Sequence, residues 1–370
     1  MTIDEIRPML VNVNATDETA AMFFNLLQVK ETGFIVGHHD SYAKFYEENS
    51  NVSDFVTSTG SHPGLLGSDF MFISDDQNDG KPGNWYFEQE LKIKKHVTEA
   101  YQNGLINTFA WHFRDPFEGK EFDAKHMNPD HLKAAVASIL PNGENHEYYR
   151  EKLRKIAEVA GSLIGEEGEA IPIIFRPFHE FDGDWFWWGK SNCTPDQYIE
   201  LWRFTVHYLS YELGVNNLLF AYSPDNKFSS ESEYLERYPG DDYVDILAMD
   251  NYEDFRRQKK SGFKSARKKL QIISELAIAR NKIAALSETG FNLTGGLEVR
   301  DNFYSKHLMM VLADDDVKLS YIMFWSNKPG EYFVPLPGHD AHLDFIAFIE
   351  RVKGMMTIKN IYKLDFTKMA

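Results

Sequence analysis

Two glutamates, Glu180 and Glu288, each close a short apolar run, IIFRPFHE at 173–180 and IAALSE at 283–288. Taken singly, an acidic residue after such a run reads as a salt bridge or a helix cap. Taken together, with Arg176, His179 and Tyr252 close by in the sequence pattern, they read as a catalytic pair. Two carboxyl groups about 5–5.5 Å apart suit a double displacement at an acetal carbon, whereas about 6.5–9.5 Å leaves room for a directly attacking water. In the first arrangement a protonated Glu180 donates to the leaving oxygen while ionised Glu288 attacks the anomeric carbon. Water then releases the sugar, with Glu180 acting as base. The charge on Glu288 raises the pKa of its partner before attack, and esterification removes that charge.

Such a pair needs a scaffold that brings distant segments to one mouth. Eight apolar runs recur along the chain: FIVGHHD at 34–40, LLGSDFMF at 65–72, INTFAWHF at 106–113, IIFRPFHE at 173–180, LLFAYSP at 218–224, VDILAMDNY at 244–252, IAALSETG at 283–290 and YIMFWSN at 321–327. Their continuous hydrophobicity predicts parallel strands buried on both faces. Amphipathic stretches lie between them. One is stopped by Gly104, and another has Thr194 and Pro195 as N-cap and first helical residue. Strand and helix alternate eight times, and no GxGxxG or GxxxxGK[ST] follows any strand. The pattern predicts an α/β fold, a (β/α)8 TIM barrel forming a single domain over 1–370. Barrel enzymes keep their chemistry at the C-terminal strand ends, which here carry His38, His39, Asp40, Asp69, His112, Arg176, His179, Glu180, Asp250, Tyr252, Glu288 and Trp325.

Bulk composition narrows the partners. A net charge of −17 repels phosphate backbones and anionic lipid surfaces, so nucleic acid and membrane surfaces are poor partners, while a neutral polymer is not repelled. Aromatic residues make up 14% of the chain, more flat apolar surface than a core requires, and sugar rings stack on such faces. The single cysteine, Cys193, rules out an internal disulfide and any multi-cysteine metal site. No apolar stretch is long enough to span a membrane, and MTIDEIRPML is not a signal peptide. The expectation is a monomer, secreted or periplasmic if a leader was removed and otherwise cytoplasmic.

Three longer motifs, RPFHEFDGDWFWWG at 176–189, AMDNY at 248–252 and LSETG at 286–290, resemble glycoside hydrolase family 26. GHHD at 37–40, FAWHF at 109–113 and MFWSN at 323–327 are similar to that family's first, third and eighth strands, so the likeness spans nearly the whole chain. The resemblance implies that Glu180 is the acid/base and Glu288 the nucleophile. It makes His179 the histidine before the acid/base, where other retaining barrels of the clan have Asn. Tyr252 would hydrogen-bond the nucleophile, Asp250 would be the carboxylate beside it, and His112 would contact sugar. Trp185 and Trp325 would wall the cleaved residue, while Trp187 is expected in the core. The activity implied is endo-hydrolysis of β-1,4-mannan, galactomannan or glucomannan, without a cofactor or metal. Mixed-linkage β-glucanase and β-1,3-xylanase activities occur on the same apparatus, and a non-catalytic polysaccharide-binding barrel is the alternative of another class. His112, Asp250 and the loop Phe117 to Phe122 are the expected discriminators.

Other signals are set aside. SDDQNDGKPGN at 74–84 imitates a calcium loop but has Tyr86 where the bidentate Glu belongs, and it reads as a mobile polar loop. His38, His39, His112 and His179 lack zinc-motif spacing and read as donors to sugar hydroxyls. RRQKK at 256–260 reads as a solvated face.

Overall fold

The computed structural model describes residues 1–42, 53–256, 258–292, 301–328, 331–352 and 360–364. Eight parallel strands, β1 (Ile35–His39), β2 (Leu65–Asp69), β3 (Ile106–Ala110), β4 (Ile173–Arg176), β5 (Leu218–Tyr222), β6 (Ile246–Asn251), β7 (Ile283–Thr289) and β8 (Tyr321–Phe324), close into a barrel in sequence order. Helices on the outside include Trp85–Gln102, His146–Ser162, Pro195–His207 and Lys260–Arg280. The (β/α)8 barrel expected from the alternating pattern is therefore the fold. Local capping explains the helix boundaries. Thr194 accepts from Gln197 N while the Gln197 side chain returns to Thr194 N, a reciprocal capping box with Pro195 just inside it. Gly104, at a φ of 77°, follows the end of the helix before β3.

The barrel interior is stacked in layers. Each strand's first inward residue is large and apolar: Ile35, Leu65, Ile106, Ile174, Leu219, Ile246, Ile283 and Tyr321 belong to one buried cluster. Met22, Phe23, Leu26 and Leu27 of the helix Asp17–Val29 join that cluster and seal its N-terminal end. Two residues further up, five of the strands carry small residues, Gly37, Gly67, Ala221, Ala248 and Ala285, while β3, β4 and β8 carry Thr108, Arg176 and Met323. That space is used by polar side chains of the mouth. A Cβ on Gly67 would sit 2.5 Å from His39 Nδ1 and 2.7 Å from Met323 Sδ, so the imidazole occupies what a side chain at 67 would fill. A second, larger core lies between the strands and the helices and takes in Trp111, Trp187, Trp188 and Trp202.

The apolar runs extend past their strands. The third strand stops at Ala110, the fourth at Arg176 and the eighth at Phe324. Glu180 therefore does not close β4. It lies four residues beyond, in a turn where Phe178 and Glu180 both adopt the left-handed region, at φ 51° and 54°. Each such residue costs about 1–3 kcal/mol. Tertiary hydrogen bonds hold the turn, from Tyr198 Oη to Phe178 O at 3.1 Å and from Glu180 N to Ser223 O at 2.8 Å.

The loop after β2 is strapped down by hydrogen bonds. Asn78 Nδ2 donates to Phe72 O, Ile73 O and Glu90, and Arg114 pairs with Asp75. Of the basic run at 256–260, Lys260 opens the helix Lys260–Arg280, and Arg257 lies outside the described residues.

Gly67→Ala should destabilise the fold by about 1–3 kcal/mol in urea unfolding, because the new methyl overpacks the His39 layer. Unchanged stability would mean that the layer has room to spare.

Candidate active site

β7 carries one residue more than either neighbour. Leu286 pairs with Met249 and Glu288 with Asp250, so Ser287 is an extra residue against β6; against β8, the step from Leu286 to Thr289 matches only Ile322 to Phe324. A bulge of this kind re-aims the side chain that follows it. Asp250 shares the inward face of Ile246 and Ala248, and its register partner Glu288 is delivered to the same side. The hydroxyl of Ser287 turns to Asp250 Oδ1, at 2.7 Å.

Arg176, at the last position of β4, is 1% exposed. Its Nη1 donates to Asp250 Oδ2 at 2.8 Å and to Ser223 Oγ at 2.9 Å, and its Nη2 pairs with Glu288. Tyr252 Oη donates to the other oxygen of Glu288 at 2.9 Å. Glu288 is thus held at both oxygens.

Glu180 approaches from the turn after β4. One carboxylate oxygen of each of Glu180, Asp250 and Glu288 lies within 4.8 Å of the other two. Glu180 keeps some exposure to the mouth, and Trp185 Nε1 donates to its Oε2 at 2.5 Å. Burial, followed by the charges of Glu288, Asp250 and Asp225, pushes the Glu180 carboxyl well above the usual range for glutamate. Burial likewise raises Asp250, against the opposing pull of Arg176. The three oxygens are close enough to surround a cation, but the Arg176 guanidinium already bridges two of the carboxylates. Among the described residues no other group of three such ligands is as compact.

Around this centre the imidazoles take separate places. His112 pairs with Asp69 at the end of β2, a partner the sequence reading placed at a strand end but not in the site. Burial works against the charged imidazole, but the charge and hydrogen bond of Asp69 raise His112 above its ordinary 6.5, and His112 in turn holds Asp69 below 3.8 although burial pushes it up. His179 crosses His112 edge to face with centroids 4.7 Å apart, and burial drives its pKa well down, so it stays neutral. His39 stacks on Trp325 at 4.1 Å. His38, expected with these, is turned outward against Phe55 in the layer between strand and helix, because neighbouring strand positions point to opposite faces.

Trp185 and Trp325 are half-buried at the mouth. Trp187 and Trp188 are core residues, their indole N–H groups bound to Phe113 O and His179 O. Phe122, in the loop expected to discriminate substrates, meets the His112 ring edge-on at 5.1 Å. Phe186, 5.3 Å from His112 and 5.1 Å from His179, was not singled out from the sequence. Nothing in WFWW distinguishes its lining ring from its core rings.

A closed parallel barrel with two opposed glutamates and an aromatic rim at its C-terminal mouth is the architecture of a barrel glycoside hydrolase. The model of glycosyl hydrolase family 26 matches residues 11–293, a span that includes both glutamates. The chain belongs to glycosyl hydrolase family 26. A mannan endo-1,4-beta-mannosidase of Bifidobacterium adolescentis is 31% identical over 365 residues, covering 94% of this chain and 35% of that protein. The chain thus spans about a third of that relative's length. The solved structure of GH26C from Muricauda sp. MAR_2010_75 is 50% identical with a TM-score of 0.96, covering 99% of this chain and 98% of that one. A double mutant of a Cellulomonas fimi endo-beta-1,4-mannanase is 30% identical with a TM-score of 0.83, covering 94% and 79%.

Two substitutions test the electrostatics. Arg176→Met should cost about 3–5 kcal/mol at neutral pH by leaving Asp250 and Glu288 buried without their cation, and the loss in chemical denaturation should shrink under acid, where protonation removes those charges. Asp69→Asn probes the His112 pair. A raised histidine stabilises the fold below its ordinary 6.5 and loses that contribution as pH rises through its folded pKa. A depressed aspartate stabilises above 3.8 and loses its contribution as pH falls through its folded value. The stability difference between wild type and Asp69→Asn should therefore be widest between about pH 4 and 6.5 and narrow on either side. A difference flat with pH would mean that the pair is not ionic.

Proposed function

We propose that the protein is a retaining endo-β-1,4-mannanase acting on mannan, galactomannan or glucomannan, with Glu180 as general acid/base and Glu288 as nucleophile. The observation that carries this reading is the short separation of the two carboxylates together with their opposite surroundings. Their oxygens approach within 4.8 Å, which suits direct attack on the anomeric carbon rather than activation of an intervening water. Glu288 has one oxygen on the Arg176 guanidinium and the other on the Tyr252 phenol. Glu180, by contrast, forms no ion pair among the described residues, and burial and neighbouring negative charge favour its protonated form.

In the first step Glu180 protonates the glycosidic oxygen as a Glu288 oxygen bonds to C1 and the C1–O bond breaks. Esterification cancels the charge on Glu288, the pKa of Glu180 falls, and Glu180 then takes a proton from the water that cleaves the ester. Arg176 and Tyr252 orient the nucleophile. His112, His179 and Asp250 are proposed sugar-binding groups, and Trp185 and Trp325 flank the reacting residue. Mannan as the substrate is supported by the names of the Bifidobacterium and Cellulomonas proteins. A polymeric substrate favours a secreted or periplasmic enzyme if a leader was removed; otherwise the enzyme is cytoplasmic.

Reducing-sugar release from galactomannan, xylan and mixed-linkage glucan should be greatest on galactomannan and absent for Glu288→Ala. Release from glucan alone would transfer the assignment to a glucanase, and release from none to a binding protein. Proton NMR of the first product should show the β anomer, and an α product would overturn the double displacement. Tyr252→Phe should lower kcat by on the order of 10²-fold with little change in melting temperature. A change chiefly in stability would remove Tyr252 from the mechanism.

A further inference from the structure

The segment after β3 is built around one carboxylate. Asp115, 2% exposed, accepts at Oδ1 from Phe117 N at 3.1 Å and Glu118 N at 2.7 Å, and at Oδ2 from Lys120 N at 3.1 Å and Glu121 N at 3.0 Å. A carboxylate offers about four acceptor positions, so Asp115 spends them on the backbone of its own loop. Asp115 N donates to Glu121 O at 2.7 Å and Gly119 N to Asp115 O at 3.0 Å, which closes the loop on itself. Arg114 adds a bond from its guanidinium to Lys120 O.

The chain leaves this ring as a strip that pairs with the segment carrying Trp185. Asp123 and Phe186 form an antiparallel bridge, Ala124 N donates to Trp185 O at 2.7 Å, and Trp187 N donates to Phe122 O at 3.3 Å. Trp187 Nε1 reaches back to Phe113 O at 2.7 Å, so the WFWW segment is tied to the chain on both sides of the loop. The backbone of Trp185 is thus held by the strip, and its ring lies on bare backbone, since a Cβ on Gly183 would sit 2.2 Å from the indole. From that position Trp185 Nε1 donates to Glu180 Oε2 at 2.5 Å. Among the described residues no other side chain donates to the Glu180 carboxyl.

We propose that Asp115 is a positioning residue for the reaction: by folding the loop after β3 it holds residues 122–124 against the WFWW segment, and so fixes the Trp185 indole that aims the Glu180 proton at the leaving oxygen. The proposal rests on the reading of Glu180 as general acid. The hydrogen bonds of the Asp115 carboxylate stay within its loop, so its effect on Glu180 passes through backbone and indole. A catalytic group misplaced by about 1 Å can lose on the order of 10²-fold in rate. A leaving group that departs as a stable anion needs no proton, so loss of Asp115 is felt in proportion to how much the leaving group needs the acid.

The test compares wild type with Asp115→Ala, Asp115→Asn and Ala124→Pro on two substrates, an unactivated oligosaccharide of the glycan that wild type hydrolyses and the dinitrophenyl β-glycoside of the same sugar. Ala124→Pro removes the N–H that meets Trp185 O and leaves Asp115 in place. The position admits proline, because Ala124 opens the short helix Ala124–His126 and Asp123 before it is extended, at φ −76° and ψ 117°. In Asp115→Ala and Ala124→Pro, kcat/KM on the oligosaccharide should fall about tenfold or more further than on the dinitrophenyl glycoside. Asp115→Asn should recover part of the loss, since one amide oxygen can keep two of the four N–H bonds. Equal loss on both substrates, or no loss on either, would overturn the positioning role while leaving the hydrolase reading intact.

A second readout needs no activity. The indole N–H resonance of Trp185, assigned by its disappearance in Trp185→Phe, should shift in Asp115→Ala and in Ala124→Pro, while that of Trp202, bound to Tyr243 O, stays. An unmoved Trp185 resonance would sink the proposal, and a shifted one sustains the link from loop to indole. If wild type cleaves no glycan, the hydrolase reading fails separately. Should Asp115→Ala not fold, Asp115→Asn and Ala124→Pro carry both readouts.

Discussion

The guanidinium of Arg176, buried between Asp250 and Glu288, is the contact on which the mouth of this barrel depends. Taking one cation and two carboxylates out of water is costly unless each is paired and its remaining hydrogen-bonding capacity is met. Ser223 and Ser287 supply further hydrogen bonds to the cluster, and Tyr252 takes the second oxygen of Glu288. The scaffold is shaped to accommodate this. On five strands small residues replace large ones one layer above the apolar floor of the barrel, and the bulge at Ser287 brings Glu288 into register with Asp250. Without the extra residue the two-residue period of the strand would put Glu288 on the other face.

The same arrangement separates the two glutamates electrostatically. Arg176 contacts Glu288, and among the described residues Glu180 has no counter-ion of its own. The cost of charging falls on Glu180, whose proton is retained by burial and by the negative groups around it. The strained turn that carries Glu180 follows from its position. A residue on the strand itself would lie beside Arg176, whereas four further residues, folded back through two left-handed positions, bring the carboxyl over the opening and under the Trp185 indole. The local backbone penalty is offset by bonds to β5 and to the helix Pro195–His207.

Aromatic rings show how similar side chains are put to different uses. In WFWW, Trp185 reaches Glu180, Phe186 lines the histidines, and Trp187 and Trp188 are packed into the outer core while their N–H groups fix the backbone of neighbouring site segments. His38 and His39 divide in the same way between the outer and inner faces of β1.

Strand number, order and the segments that reach the mouth were legible in the sequence, because parallel strands buried on both faces need long apolar runs and the polar residues that interrupt them gather at the open end. Glu180, Glu288, Arg176, Tyr252 and Asp250 were all legible on that basis. Strand ends were not, since apolar residues continue into the turns over the mouth, and so Glu180 reads as the end of a strand that stops at Arg176. Nor was it legible that Asp69 serves His112, that Ser287 is an extra residue, that His38 faces away, or that the loop at 74–84 is strapped to its neighbours. Each depends on register, side-chain direction or a contact between segments distant in the chain. By itself the sequence determined which residue types reach the mouth; only the tertiary structure decided which carboxylate meets the buried cation, because that pairing is set by distances between strands that local pattern does not encode.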